Sequence, residues 1–186
     1  MEENEIKIGD QTWTTKNLDV STYRNGDVIP QVQNEEEWKN LTTGAWCYYE
    51  NESDNGTTYG KLYNWFAVND PRGLAPKGYH IPTDAEWRLL TDYLGGNSIA
   101  GAKMKSTTGW EDDGNGSNSI GFAGLPGGYR NDDGDVDNIG ANGNWWSSSE
   151  SNTNNAWYRN LGYISDNVNR NHTNKHYGFS VRCLRD

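Results

Sequence analysis

The chain has 186 residues, of which 33% are hydrophobic, and its formal net charge is −10 at neutral pH. Aromatic residues make up 12% of the sequence, with 9 Trp and 11 Tyr, and this content argues against a disordered chain. The charge offers no basic patch for a nucleic-acid backbone, and no apolar run approaches the ~18 residues of a membrane-spanning helix.

The length predicts one domain over residues 1–186. Short helices and strands are predicted in the first third of the chain. Alternating residues on either side of Gly9-Asp10 predict a hairpin from Glu5 to Trp13. Asn34 is a predicted N-cap for a short acidic helix over Glu35–Asn40. A strand is predicted over Ala45–Tyr49.

The middle of the chain carries the clearest helical signal. Asn51–Thr58 is predicted to be a loop, and helical spacing of apolar residues predicts a buried helix over Gly60–Val68. Thr83 and Glu86 form the pattern of a capping box at the start of a helix that Gly95-Gly96 ends. One more helical turn is predicted over Ile99–Met104.

The second half predicts strands and loops. Loops are expected over Asp112–Asn118 and Asn131–Asn144, with a strand inside Gly121–Arg130 between them. Three or more strands then run to the end of the chain. A few helices in the first half, followed by strands and large loops, predict an α+β fold.

Residues 152–176 form a polar segment between two core-like stretches. Eight of these 25 residues are Asn, and Lys and Glu, common on solvated strand faces, are almost absent. Strand alternation places Trp157, Arg159 and Leu161 on one face, where Arg159 is expected to pair with a buried carboxylate. Tyr158 and Asn160 face the other way, and Val168 is also expected to point inward.

Asn, Tyr, Ser and His are the residues that antibody loops use for contact, because Tyr offers rigid area and Asn offers adaptable hydrogen bonds. We therefore predict a ligand-binding surface in this segment, and the alternative is a solvated strand face. The predicted contact residues are Asn152, Asn154, Asn155, Tyr158, Asn160, Tyr163, Asn167, Asn169, Asn171, His172, Asn174 and His176.

Other chemistry has weaker signals. Asp133, Asp135 and Asp137 begin like a calcium loop, but Asn144 occupies the position of its last glutamate, which favours an ordinary acidic turn. No nucleophile, metalloprotease or phosphate-binding motif is present, so we predict no catalytic residue and no bound cofactor or metal. Cys47 and Cys183 either form a disulfide or are two buried free thiols.

A set of motifs in order resembles the Fibrobacter succinogenes major paralogous domain family. The motifs are Gln11–Trp13, Trp38–Ala45, Tyr59–Trp65, Gly78–Trp87, Leu125–Arg130, Trp145–Glu150 and Gly178–Cys183. The resemblance covers nearly the whole chain. It implies a C-type lectin-like fold of the formylglycine-generating-enzyme branch, with few helices, a small antiparallel sheet core and long loops. The resemblance also implies a cell-surface or secreted protein.

The polar segment also resembles the variable region of proteins that diversity-generating retroelements rewrite, which mutate Asn codons to Tyr, Asp, His and Ser. This resemblance implies that residues 152–176 are a variable ligand-binding segment of a receptor or adhesin for a protein or glycan ligand. The protein is then expected at the cell surface, secreted, or on a phage as a receptor-binding protein. Met1–Asn4 shows no export signal, so either such a segment has been trimmed or the protein is not exported by that route.

Two alternatives stay open. The relation to formylglycine-generating enzymes suggests an oxidase, although Cys47 and Cys183 do not match the paired cysteines of those enzymes. The calcium-dependent sugar motifs of animal C-type lectins are also absent. A structural cell-surface module without a discrete ligand is the other alternative.

Overall fold

The computed structural model describes residues 4–186, so the three N-terminal residues, where an export signal was sought, lie outside the described part. Five short α-helices lie between residues 35 and 104. They are α1 (Glu35–Lys39), α2 (Ser53–Tyr59), α3 (Trp65–Val68), α4 (Asp84–Tyr93) and α5 (Asn97–Met104). Within residues 4–186, every helix is too short to cross a lipid bilayer.

In the described part of the chain, eleven strands form three sheets. The strands are β1 (Glu5–Ile8), β2 (Gln11–Thr14), β3 (Trp46–Cys47), β4 (Leu62–Tyr63), β5 (Tyr79–His80), β6 (Gly127–Arg130), β7 (Val136–Ile139), β8 (Asn142–Glu150), β9 (Asn155–Gly162), β10 (Asn169–Asn174) and β11 (Leu184–Arg185). The sheet orders are β1-β2-β11-β5, β10-β9-β8-β6-β7 and β3-β4. Strands β6 and β8 are parallel and the other pairs are antiparallel. The predicted α+β class is confirmed.

Strand β8 is buried on both faces. Trp145 packs into a cluster with Trp13 and Trp87, whereas its neighbour Trp146 packs into a second cluster with Phe179. The two indoles point to opposite sides because side chains alternate along a strand. Both indole N–H groups are satisfied, by Asn17 Oδ1 for Trp145 and by a backbone carbonyl for Trp146. This double burial fixes the position of the five-stranded sheet.

The local signals of the first half are confirmed where capping chemistry supports them. Asn34 Oδ1 accepts a hydrogen bond from the Glu37 backbone N–H at 2.9 Å, and α1 begins at the next residue. Thr83 and Glu86 form both hydrogen bonds of the capping box at the start of α4. The predicted hairpin is also present, with β1 and β2 paired on either side of Gly9-Asp10.

Three element predictions are wrong. Asn51–Thr58 contains α2 rather than a loop, and Gly56 is the buried residue of that helix, so no apolar stripe announced it. Gly60–Val68 divides into strand β4 and helix α3, because Asn64 caps a new helix at Ala67 N. Asn131–Asn144 is not one loop, since it contains β7, which pairs with β6.

Candidate functional site

Strands β9 and β10 bring the amides of the polar segment to one face of the five-stranded sheet. Asn169 lies opposite Asn160, and Asn171 lies opposite Tyr158. Residues that pair across antiparallel strands share a face, so these four side chains are neighbours. The shared face predicted for them is therefore present.

The amides on this face bind each other across three strands, in a group that we call the amide ladder (Asn142, Asn144, Asn160 and Asn169). Asn160 Nδ2 donates to Oδ1 of Asn142 and of Asn144, both at 3.0 Å. Its Oδ1 accepts from Asn169 Nδ2 at 3.1 Å. Asn144 Nδ2 continues the series to the Gly128 carbonyl at 3.4 Å. The ladder fixes the amide orientations before any ligand arrives.

The ladder borders a depression of about 300 Å³, which we call the amide cleft. Its lining residues are Tyr129, Asn138, Asn142, Asn144, Tyr158, Asn160, Asn171, Thr173, Tyr177 and Phe179. They combine aromatic rings, amides and one hydroxyl-bearing Thr, and none of them is ionised at neutral pH. The volume lies at the lower end of ligand pockets, which span about 300–1,000 Å³.

Aromatic rings form the other wall of the amide cleft. The ring centroids of Tyr129 and Tyr177 are 5.9 Å apart, and those of Tyr158 and Phe179 are 4.6 Å apart. Asn138 Nδ2 donates to the Tyr129 hydroxyl at 3.1 Å. Burial raises the pKa of Tyr158 and of Tyr177, so both phenols stay protonated and able to donate at neutral pH. The cleft thus offers neutral donors and acceptors beside aromatic faces.

The predicted contact residues divide by location. Tyr158, Asn160 and Asn171 line the amide cleft, and Asn169 joins it through the ladder. Tyr158 was expected to point outward, but it is half-buried because its ring packs against Phe179.

The remaining predicted residues lie outside the cleft. Asn152 and Asn154 lie in the turn between β8 and β9, and Asn155 begins β9. Asn152 Oδ1 accepts from the backbone N–H of the other two. Tyr163 packs against the Trp13–Trp145 cluster, and Asn167 is exposed in the loop before β10. Asn174 Oδ1 accepts from the His176 backbone N–H in the turn after β10. The polar composition of these turns reflects turn chemistry.

The opposite face of β9 and β10 carries His172, Trp157 and Arg170. Trp157 has the predicted parity, yet it is only half-buried instead of belonging to the core. Alternation assigns a face but does not say whether another element covers it. Here the Arg170 guanidinium lies 3.4 Å from the centroid of the indole ring, and His172 contacts the ring edge.

On that same face, Arg159 is buried and finds the carboxylate that the sequence predicted. Its Nη1 donates to Asp84 Oδ1 at 2.9 Å, and Arg170 binds the same carboxylate through Nε and Nη2. Burial raises the pKa of Asp84, but the hydrogen bonds from the two arginines outweigh it and hold that pKa below its usual value. The carboxylate anchors α4 to β9 and β10. Val168 is buried as predicted.

Sequence reasoning missed most of the cleft lining. The missed residues are Tyr129, Asn138, Asn142, Asn144, Thr173, Tyr177 and Phe179. Six of them lie outside residues 152–176. The alternation of Asn142 and Asn144 just before the buried Trp145 was a signal, because period-two amides ahead of a core strand mark one polar face.

The family model of the Fibrobacter succinogenes major domain matches residues 6–185. The chain belongs to this family. The resemblance carried by the seven sequence motifs is therefore confirmed. No curated protein matches the chain.

In this family member, Cys47 and Cys183 are buried free thiols, so the disulfide interpretation is wrong. The two residues belong to different packing clusters. Burial raises the pKa of Cys47 to about 11 and that of Cys183 to about 12, so both thiols stay protonated at neutral pH.

The acidic loop is organised by an asparagine and by a lysine. Asn131 Oδ1 accepts from the backbone N–H groups of Asp133 and Asp135, and the Asp133 carboxylate binds Lys39 Nζ at 2.6 Å. Asp137 lies on β7. Between residues 4 and 186, no group of three or more His, Cys, Asp or Glu side chains is arranged to hold a metal ion.

Proposed function

We propose that this chain is a non-enzymatic binding domain of the receptor or adhesin type, which holds a neutral polar ligand in the amide cleft. The observation that carries the proposal is the lining, which unites four aromatic rings and five amides without an ionised side chain. Such a surface has nothing to attract a charged group. It suits a glycan or a neutral protein loop, which can stack on tyrosine and bond to amides.

The amide ladder supports this function through preorganisation. Asn160 uses both amide hydrogens and its carbonyl oxygen on neighbouring side chains, so its amide plane cannot turn freely. The Asn142 amide is oriented in turn, because its Oδ1 accepts from Asn160 Nδ2. A ligand then loses less free energy to the ordering of side chains when it binds.

The proposal extends to fold and biological setting. We place the chain in the C-type lectin-like fold, at a cell surface, in secreted form or on a phage, with residues 152–176 diversified by a retroelement. Support for diversification comes from exposed amides that hold no other side chain, such as Asn154 and Asn167. The oxidase alternative has less support, because thiolates bind metal and both thiols here stay protonated.

The test uses two adjacent residues on opposite faces of β10. Asn171 and His172 are both exposed, but Asn171 lines the amide cleft and His172 faces Trp157. The purified chain is applied to an array of neutral and acidic glycans and to a displayed library of short neutral peptides. Wild type and His172→Ala should capture the same neutral probes.

Asn171→Asp places a carboxylate in the cleft and should abolish that capture, while Asn171→Ala should weaken it about tenfold. Circular dichroism confirms that each variant is folded. Capture lost in His172→Ala but kept in Asn171→Asp would move the site to the other face. A chain that captures no probe would favour the structural module without a ligand.

A further inference from the structure

A second and larger cleft, of about 600 Å³, shares no residue with the amide cleft. Its walls come from the chain after β2, the C-terminal end of α2 and the segment before β6. Arg182 contributes to the wall between Asn17 and Ala123. Nothing in the proposed function uses this cleft.

Arg182 is a buried cation with neutral partners. Its side chain is 1% exposed, and its donors bind Asn17 Oδ1 and the backbone carbonyls of Thr14, Phe122 and Ala123 at 2.7–3.0 Å. Within residues 4–186, no carboxylate lies within 4.0 Å of the guanidinium. A guanidinium has five N–H donors, and these four bonds leave one on Nη2.

The charge of Arg182 persists at neutral pH. Burial lowers its pKa to about 9, which still leaves the guanidinium protonated. A buried charge is costly unless a partner balances it. The structure supplies carbonyl dipoles but no counter-ion among its described residues, so an anion in the cleft would complete the balance.

The rest of the wall keeps this region positive in an acidic protein. Exposed Lys16 lies in the lining. Asp19, the one carboxylate among the described lining residues, is already bound by buried Lys61 at 2.5 Å. Because Asp19 is paired, Lys16 and Arg182 give the lining an excess of positive charge, and such an excess raises the local concentration of anions. The formal net charge of the chain is −10, so the positive charge at this cleft is opposite in sign to that of the whole protein.

The backbone at the cleft is held in a costly conformation. Ala123 has φ +52°, a left-handed value that alanine rarely adopts. The Asn118 side chain accepts its N–H at 2.7 Å, and Arg182 Nη2 donates to its carbonyl at 3.0 Å. Strain of this kind is found where a ligand contacts the backbone. It aims the Ala123 carbonyl at Arg182, and both residues line the cleft.

We propose that this cleft binds an organic monocarboxylate, with one carboxylate oxygen on the remaining Arg182 N–H and the apolar body against Leu125 and Ala123. One free guanidinium donor matches a single oxygen and a single charge, whereas a phosphate dianion requires more donors. The carboxylate belongs either to a free small acid or to the C-terminus of a peptide. The chemistry at Arg182 is the same in both cases.

The experiment is a nuclear magnetic resonance titration of the ¹⁵N-labelled chain. The probes are butanoate, its neutral isostere butanamide, inorganic phosphate, and N-acetyl-alanyl-alanine as a peptide carboxylate. Saturable shifts at Asn17, Ala123 and Leu125 are expected with butanoate or with the peptide, and not with butanamide. Butanoate alone identifies a small acid as the ligand, and the peptide alone identifies a chain terminus.

A matched pair of variants at Leu125 tests the site without removing Arg182, whose loss would endanger the fold. Leu125 is half-exposed, so both Leu125→Glu and Leu125→Gln should fold. The glutamate carboxylate competes for Arg182 and should weaken binding at least about tenfold, while the glutamine variant stays within about threefold of wild type. Phosphate that binds as tightly as butanoate, equal binding in both variants, or no saturable shift at all would overturn the proposal.

Discussion

Asn160 shows how one residue couples the polar segment to the rest of the sheet. Its three amide bonds go to side chains on β8 and β10, and two of those partners lie outside residues 152–176. A change at Asn160 therefore removes a hydrogen bond from buried Asn144 and from the half-buried amides of Asn142 and Asn169. Freedom to vary, which the sequence pattern assigned to this position, is limited by its bonds to Asn142 and Asn144.

The first prediction concerns this coupling. Asn160→Ala should lower the free energy of unfolding by about 1–3 kcal/mol, because unsatisfied buried polar groups carry the cost of desolvation. Urea denaturation measures the change. Asn167→Ala is the matched control, since the Asn167 side chain is exposed, and it should stay within about 0.5 kcal/mol of wild type. Equal stability of the two variants would mean that the ladder contributes nothing.

His80 joins β5 to α4 and to the last residue of the chain. Its Nε2 lies 2.9 Å from Glu86 Oε1 and its Nδ1 lies 2.8 Å from Asp186 Oδ1. Burial lowers the pKa of His80, but the hydrogen bonds to the two carboxylates outweigh it and raise the pKa above its usual value. The opposite holds for Glu86, whose pKa is lowered because hydrogen bonds from Thr83 and His80 outweigh burial.

The second prediction follows from these directions. A raised histidine pKa stabilises the fold fully below the unfolded value of about 6.5, and this stabilisation is lost as the pH rises through the folded pKa. The stability gap between wild type and His80→Gln should therefore be larger at about pH 5.5 than at about pH 8. It should stay below about 1 kcal/mol because the pair is partly exposed. Urea denaturation at both pH values measures the gap, and a gap that grows toward high pH would contradict the prediction.

Among the elements, α4 depends on its first residue for its attachment to the sheet. Asp84 binds Arg159 and Arg170, and Arg159 is 2% exposed. Removal of the charge from this carboxylate leaves a buried guanidinium without its counter-ion. Asp84 therefore links the N-terminus of α4 to β9 through Arg159. It also links it to β10 through Arg170, the residue that stacks on Trp157.

The third prediction tests this link. Asp84→Asn should lower the free energy of unfolding by about 3–5 kcal/mol, the usual cost of breaking a buried ion pair by removing one partner. Asp92→Asn on the same helix is the control, because Asp92 is exposed and lies outside the ion pairs, and it should change stability by less than about 0.5 kcal/mol. Thermal and urea unfolding measure both. A loss at Asp84 no greater than at Asp92 would show that the arginines find other partners.

The elements that sequence reasoning predicted correctly are those with local chemistry. The capping box at Thr83 and the turn at Gly9-Asp10 are complete within a few residues of chain. Helix α2 escaped prediction because Gly56 is its buried residue and gives no apolar period. The amide cleft escaped because strand register, a long-range property, brings Tyr129 and Asn142 beside the polar segment. Composition alone can indicate a polar face but not its far wall.

At the scale of the whole molecule, three packing clusters share the burial of the aromatic residues, and the two cysteines lie in different clusters. This separation gives the fourth prediction. A thiol reagent should modify neither cysteine in the folded chain and both after unfolding, and a reductant should leave the melting temperature unchanged. Ser119→Cys, at an exposed position, is the control that reacts while folded. A melting temperature that falls on reduction would instead support a disulfide between Cys47 and Cys183.

Diversification of residues 152–176 is physically acceptable at some positions and costly at others. Exposed Asn154, Asn167 and His172 hold no buried partner, whereas Asn160 belongs to the ladder, Val168 is buried, and Arg170 binds Asp84. A retroelement that rewrites the segment needs exposed positions without a buried partner. Two triple variants in the same segment, one at exposed positions and one at packed positions, compare the two kinds.

The fifth prediction compares them. The triple variant Asn154→Ser, Asn167→Tyr and His172→Asn should lose less than about 1.5 kcal/mol, at about 0.5 kcal/mol for each exposed site. The triple variant Asn160→Ser, Val168→Ser and Arg170→Asn should lose more than about 4 kcal/mol, because it removes a ladder bond, a buried apolar side chain and a charge partner together. Urea denaturation separates the two outcomes. Equal losses would mean that the segment packs as a unit, and tolerance of change at its exposed positions would then have no basis in this fold.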